Sequence, residues 1–199
     1  MLNNAQEFQN LGPKGIDISG SEDLKRIHQF KFKVPTAKGV LVSYNLDFHQ
    51  YQYDIYVGKF YPTLYSKEDF KYGLILNHGV RFANMVISTV LKVFQWMSKK
   101  YPESSFGFIG EPKYSLKVKK KKSYTVYTEN KEEIESTKRY NWYLKVCNFV
   151  INPDDYELFV SSRNSSILLI NKTAIKTENY EEFVLNVEGM MRRNYPDFV

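Results

Sequence analysis

Between residues 28 and 61 apolar and polar positions alternate with a period of two. Phe30 and Phe32 flank Lys31, and Val40 and Val42 flank Leu41. Tyr44, Leu46 and Phe48 then fall on one face, against Asn45, Asp47 and His49. Tyr51, Tyr53, Ile55 and Val57 oppose Gln52, Asp54 and Tyr56. Alternation of aromatic and β-branched residues puts successive side chains on opposite faces of a strand, so the stretch predicts three strands with one face buried. The run Pro35–Gly39 has the chemistry of a turn. The three strands are therefore expected to form an antiparallel meander. A fourth strand is expected over Tyr72–Asn77, the run YGLILN.

The period then changes. Arg81, Asn84, Ser88, Lys92, Gln95 and Lys99 recur every three or four residues, which is one face of a helix over about Val80–Lys100. The residues between them are apolar over an arc wide enough to pack on a sheet and on something else, and Pro102 lies just past the end. The run SFGFIG predicts a short buried strand. A second helix fits Ser136–Val150, with Tyr140, Tyr143, Leu144, Cys147 and Val150 on one face and Lys138, Arg139, Lys145 and Asn148 on the other. Tyr156–Val160 and Ser166–Asn171 read as two closing strands. A last helix, about Asn179–Asn194, turns Tyr180, Phe183, Val184, Val187, Met190 and Met191 inward and sets Arg192 and Arg193 at its C-terminal end, where the helix dipole favours cations. Residues 1–25 carry Asn, Gln, Gly, Pro and Ser with little periodicity. They are expected to be a loose arm with a short helical turn near Ala5–Phe8. Residues 26–199 then form a single α+β domain with a mixed, mainly antiparallel sheet.

Composition adds to this picture without changing it. Of 199 residues 43% are hydrophobic and 25% charged, the balance of a folded chain, and 16 Tyr with 14 Phe supply many large core side chains. One cysteine excludes an internal disulfide framework and a multi-cysteine zinc site. No stretch approaches the roughly 20 apolar residues of a membrane span, and Met1–Gly20 lacks an apolar signal core, so a cytoplasmic address without membrane partners is expected. His28, His49 and His78 have no partner at metal-ligand spacing. Cys147 lies on an apolar helix face, as a small hydrophobe does. The adjacent pairs Asp154-Asp155 and Glu132-Glu133 point apart in helix or strand. There is no P-loop and no dinucleotide fingerprint. No catalytic, cofactor-binding or metal residue is therefore named.

The order meander, strand, long helix, strand, helix, two strands, helix resembles the GNAT N-acyltransferase family over about residues 28–195. In that family a strand–helix–strand–helix unit follows an antiparallel meander. The resemblance implies an acyl-CoA pyrophosphate bound at the helix after the fourth strand, by the motif Arg/Gln-x-x-Gly-x-Gly/Ala. There, glycines let backbone N–H groups approach the phosphates. The matching stretch here is Asn77–Ala83, which keeps Gly79 but has Val80 and Phe82 where close approach is needed. Tyr140 or Tyr143 would stand in for the family's general acid. The run Lys138–Tyr143 is also similar to a basic-aromatic helix in small uncharacterised proteins of low-GC bacteria and their phages.

Charge supplies the functional expectation. Lys and Arg number 28 against 22 Asp and Glu, a net charge of +6, which favours acidic partners. The excess is concentrated at Lys113, Lys117, Lys119, Lys120, Lys121 and Lys122, with Tyr114, Tyr124 and Tyr127 interleaved or following. Lysines neutralise phosphates with release of counterions, and exposed aromatic rings stack on unpaired bases. Four consecutive lysines exceed what protection of a strand edge requires. Lys138, Arg139 and Lys145 add a second basic group on the second helix. The expected function is a non-enzymatic binding protein that engages RNA or a ribonucleoprotein without a cofactor. The Lys, Asn, Tyr and Phe usage suits an AT-rich genome, and with it a phage- or mobile-element-encoded inhibitor of a host nuclease or defence complex. The alternative is an N-acyltransferase using acyl-CoA. A homodimer that buries the surplus tyrosines is a third reading.

Overall fold

The computed structural model describes residues 4–14, 23–67, 71–73, 76, 78–109, 114–117, 126–131, 140–144, 147, 152–161, 165–173 and 180–195. The strands are β1 (Phe8–Lys14), β2 (Leu24–Pro35), β3 (Leu41–Tyr51), β4 (Ile55–Pro62), β5 (Ser105–Ile109), β6 (Tyr114–Lys117), β7 (Val126–Lys131), β8 (Tyr156–Ser161) and β9 (Ser166–Asn171). The helices are α1 (Val80–Lys100) and α2 (Tyr180–Asn194), with further helical turns at residues 140–144. Seven strands form one sheet in the order β1-β2-β3-β4-β5-β9-β8. Every neighbouring pair is antiparallel except β4–β5, which is parallel and is joined through α1. The class is α+β with a mixed, mainly antiparallel sheet. β6 and β7 pair with each other as a separate two-stranded ribbon.

The meander forms where the alternation placed it. Its first turn closes through the Thr36 N–H, which donates to the Val40 carbonyl at 2.8 Å, and Gly39 takes a φ of 75° that a side chain would resist. Phe30, Phe32, Tyr44, Leu46 and Phe48 are buried on the face that receives α1. There Phe82, Val86, Val90, Phe94 and Met97 meet them, together with Phe106 and Phe108 of β5. Gly58 makes this packing tight, because a Cβ there would lie 3.1 Å from a ring carbon of Phe48 and 3.2 Å from one of Phe108. On the opposite face a smaller core joins Tyr51, Ile55, Val57 and Ile170 to Phe183, Val187, Met190 and Met191 of α2. The start of β2 is clamped to the end of α2 by Asp23, whose carboxylate accepts from the Arg193 guanidinium at 3.0 Å and from Asn194 at 3.0 Å.

Four expectations differ from this structure. Residues 8–14 are not a loose arm with a helical turn but the edge strand β1, because Phe8 pairs opposite Phe32 and sets its ring against Phe30 and Trp96. The strand expected at Tyr72–Asn77 is absent where it is described: Lys71–Gly73 is a 3-10 turn and Leu76 has no regular structure, while 74, 75 and 77 lie outside the described residues. The position beside β4 is taken by β5 instead. The third run is broken by a 3-10 turn at Gln52–Asp54 before β4 begins at Ile55. The polar stripe of α1 is interrupted at Ser88, which is buried. The N-terminal segment lies along the neighbouring turns, where the Gln6 N–H donates to Thr89 Oγ1 at 2.8 Å and Lys92 pairs with Glu7. Among the described residues no helix is long and apolar enough to cross a membrane.

Candidate functional site

The basic segment is flanked by the two strands of the ribbon. Tyr114 pairs with Lys131, Leu116 with Tyr127 and Lys117 with Val126, so β6 and β7 bring the two ends of residues 118–125 together. Lys117 is thus the last paired residue of β6. Lys119, Lys120, Lys121, Lys122 and Tyr124 belong to the connecting chain, and Lys113 directly precedes β6; these six lie outside the described residues, as do Lys138, Arg139 and Lys145. On the segment that carries the second basic group, Tyr140 and Tyr143 are buried. The Tyr143 ring stacks on Phe108 with centroids 4.8 Å apart and meets Phe60 edge-on. Cys147 is buried beside them, and burial pushes its thiol up to about 12, so it remains a protonated hydrophobe.

The stretch matched to the acyl-CoA loop is also placed. Gly79 has φ 88° and caps α1 without a side-chain hydrogen bond, while the Ala83 N–H donates to its carbonyl at 3.1 Å. His78, Gly79, Val80 and Arg81 are exposed, and Phe82 turns inward with the His78 ring 4.8 Å away. The first turn of α1 is therefore open at its N-terminus, where helix N–H groups point outward.

A third group of residues lies where sequence reading expected a solvated face. In β3, Asn45, Asp47 and His49 point away from α1, yet Asn45 and Asp47 are buried. Register sets Asp47 between Gln29 of β2 and Lys59 of β4, and Asn45 between Lys31 and Tyr61. The 3-10 turn at Lys71–Gly73 covers them through Tyr72. Gln29 Nε2 donates to Asp47 Oδ1 at 2.9 Å, and the Tyr72 hydroxyl donates to Oδ2 at 3.1 Å. His49 Nε2 lies 3.3 Å from the same hydroxyl, His49 Nδ1 lies 3.5 Å from the Tyr51 hydroxyl, and that hydroxyl is 2.7 Å from the one on Tyr195.

The direction of this chain follows from its acceptor end. A carboxylate only accepts, so the Tyr72 hydroxyl donates its hydrogen bond to Asp47 and accepts one from His49 Nε2–H. Nδ1 is then the acceptor for Tyr51. Burial, and after it the Lys59 and Lys71 ammonium charges, lower the His49 pKa to about 3, which keeps the ring neutral. Burial and the Asp47 charge raise the Tyr61 pKa, so that phenol stays protonated. Lys59 Nζ stands 4.7 Å from the Tyr72 ring centroid and 4.4 Å from that of Tyr195, and Lys71 Nζ stands 4.9 Å from Tyr61 and 5.2 Å from Tyr72. The sequence signal for this group was Asn45, Asp47 and His49 at a spacing of two. Only the docking of Tyr72 and Tyr195 from distant segments turns that row into a network. Among the described residues no group of three or more His, Cys, Asp or Glu is placed to hold a metal ion.

Comparison with family models, with curated proteins and with solved structures finds no match to this chain.

Proposed function

We propose that the protein binds single-stranded RNA, free or within a ribonucleoprotein, through the lysine-rich chain that joins β6 to β7. The observation that supports this reading is the pairing of Lys117 with Val126 in a ribbon separate from the seven-stranded sheet. That pairing brings the two ends of the stretch holding Lys119–Lys122 and Tyr124 together at neighbouring strand ends. Phosphate contacts by such lysines release counterions, and a tyrosine among them offers a stacking surface for a base. Action by occupancy, as an inhibitor that competes for the RNA of a host nuclease or defence complex, requires nothing further of the fold.

The test is binding of fluorescein-labelled oligouridine by anisotropy over a series of salt concentrations. Replacing Lys119, Lys120, Lys121 and Lys122 together by Ser should weaken binding, leave the melting temperature unchanged, and flatten the slope of log K against log salt by nearly 3, at about 0.7 per lost contact. An unchanged slope would remove this segment from the interface.

A second reading, an N-acyltransferase using acyl-CoA, is favoured by the parallel β4–α1–β5 unit that follows the antiparallel meander and by the open first turn of α1 beside Gly79. Saturable stabilisation of the chain by acetyl-CoA in a melting experiment would put this reading first, because a ligand that binds only the folded state raises its stability. With Val80 and Phe82 in the loop, no such shift is expected.

A further inference from the structure

The polar side of the meander carries cations that the ribbon does not account for. Residues directly opposed across an antiparallel ladder share a face, so Lys33 and Lys31 of β2 stand on the same side as Ser43, Asn45 and Asp47 of β3 and Tyr61 and Lys59 of β4. Lys71 reaches this surface from the 3-10 turn, with its ammonium over Tyr61 and Tyr72. Four ammonium groups thus stand on the β2–β3–β4 part of this face, where the register sets one carboxylate, Asp47, beside them. That carboxylate, Asp47, already accepts from Gln29 and Tyr72. His49 adds no charge at neutral pH.

Three features suit this surface to a phosphate-bearing strand. Lys31 and Lys33 are two residues apart on β2, so their stems leave the same face about 6–7 Å from one another. Tyrosine rings lie against the ammonium groups of Lys59 and Lys71 and restrict them before any ligand arrives, so less side-chain freedom is lost on binding. Ser43, half-buried, lies opposite Lys33 in register, with a neutral hydroxyl able to meet a sugar hydroxyl.

We propose that this face of β2, β3 and β4 is a second contact surface for single-stranded RNA, with Lys31, Lys33, Lys59 and Lys71 as its phosphate contacts. The proposal rests on the RNA reading above and extends it from the ribbon to the main sheet. The Gln29–Asp47–Tyr72–His49–Tyr51–Tyr195 chain holds the surface in shape. None of its members needs to touch the strand.

The experiment uses the full chain and the same labelled oligouridine. The double variant Lys31→Ser, Lys33→Ser should melt with the unmodified chain and flatten the salt slope by about 1.4, and Lys71→Gln should flatten it by about 0.7 in a background that keeps Lys31 and Lys33. A slope equal to that of the unmodified chain in both variants overturns the proposal. If the Lys119–Lys122 variant alone flattens the slope, this surface falls and the ribbon stands. If the sheet-face variants alone do so, the surface stands and the ribbon falls. An unmodified chain that fails to bind oligouridine at low salt overturns both.

Discussion

His49 is held between two phenols, and its neutrality is a stability term. An ordinary histidine titrates near 6.5, whereas this one is lowered to about 3, chiefly by burial. The unfolded chain therefore takes up a proton at this position as pH falls below about 6.5, while the folded chain does not until about 3. The contribution to stability is complete above the unfolded value and is lost progressively on acidification, at up to about 1.4 kcal/mol per pH unit. His28, also lowered by burial, acts in the same direction. Asp23 is lowered by its hydrogen bond from Arg193, and its contribution is lost only further down, below its ordinary value of 3.8. We expect His49→Gln to remove most of one proton's worth of slope between about pH 6 and pH 4 in urea unfolding measured against pH. A variant with the unmodified slope would place the titration elsewhere.

α1 is the element whose two sides can be weighed against each other. Leu91 and Phe94 are 2% and 4% exposed, and the Phe94 ring meets Phe106 at 5.0 Å and Phe108 at 5.6 Å. Truncating either leaves a cavity between helix and sheet, so Leu91→Ala or Phe94→Ala should cost roughly 2–5 kcal/mol. Lys92, one residue from Leu91, turns outward to Glu7, whose side chain is 93% exposed. An ion pair so wet is worth little, and Lys92→Ala should cost about 0.5 kcal/mol or less. Chemical denaturation decides the order, and a costlier Lys92 variant would mean a helix rotated from this orientation. The same physics explains β1. Its sequence FQNLGPK has one ring to bury, and an edge position asks for no more.

At the scale of the molecule, two cores share one wall. β4 sends Tyr56 and Phe60 into the core under α1, and Ile55 and Val57 into the core under α2. Losing either helix would expose one side of the same strand, which couples the two layers. We therefore expect Phe94→Ala and Met190→Ala, one in each core, to shift a single unfolding transition. Each should lower stability by roughly 2–5 kcal/mol, with calorimetric and van't Hoff enthalpies in agreement. Two separate transitions in Met190→Ala would show that the α2 layer melts by itself.

What the sequence determined alone was local. Periods of two and of three to four placed β3, β5, β8, β9, α1 and α2 within a few residues, because those periods record which side chains an element buries. The turn at Pro35–Gly39 was legible for the same reason, since its chemistry is contained in a few adjacent residues. The basic run was equally plain, and the register of β6 and β7 adds only where its ends are held. Tertiary structure decided what depends on partners far along the chain. Asn45, Asp47 and His49 have the spacing of a solvated strand face, and the same spacing serves a buried polar row when donors arrive to satisfy it. Those donors come from Gln29, Tyr72 and, through Tyr51, Tyr195, the last lying 144 residues away from its partner. Likewise Tyr72 sits in an apolar run that reads as a strand, but β5 occupies the place beside β4, and the turn Lys71–Gly73 sets Tyr72 over the sheet through its bond to Asp47. Pattern records how much of a residue is buried; which neighbour buries it is settled only when the strands find their order.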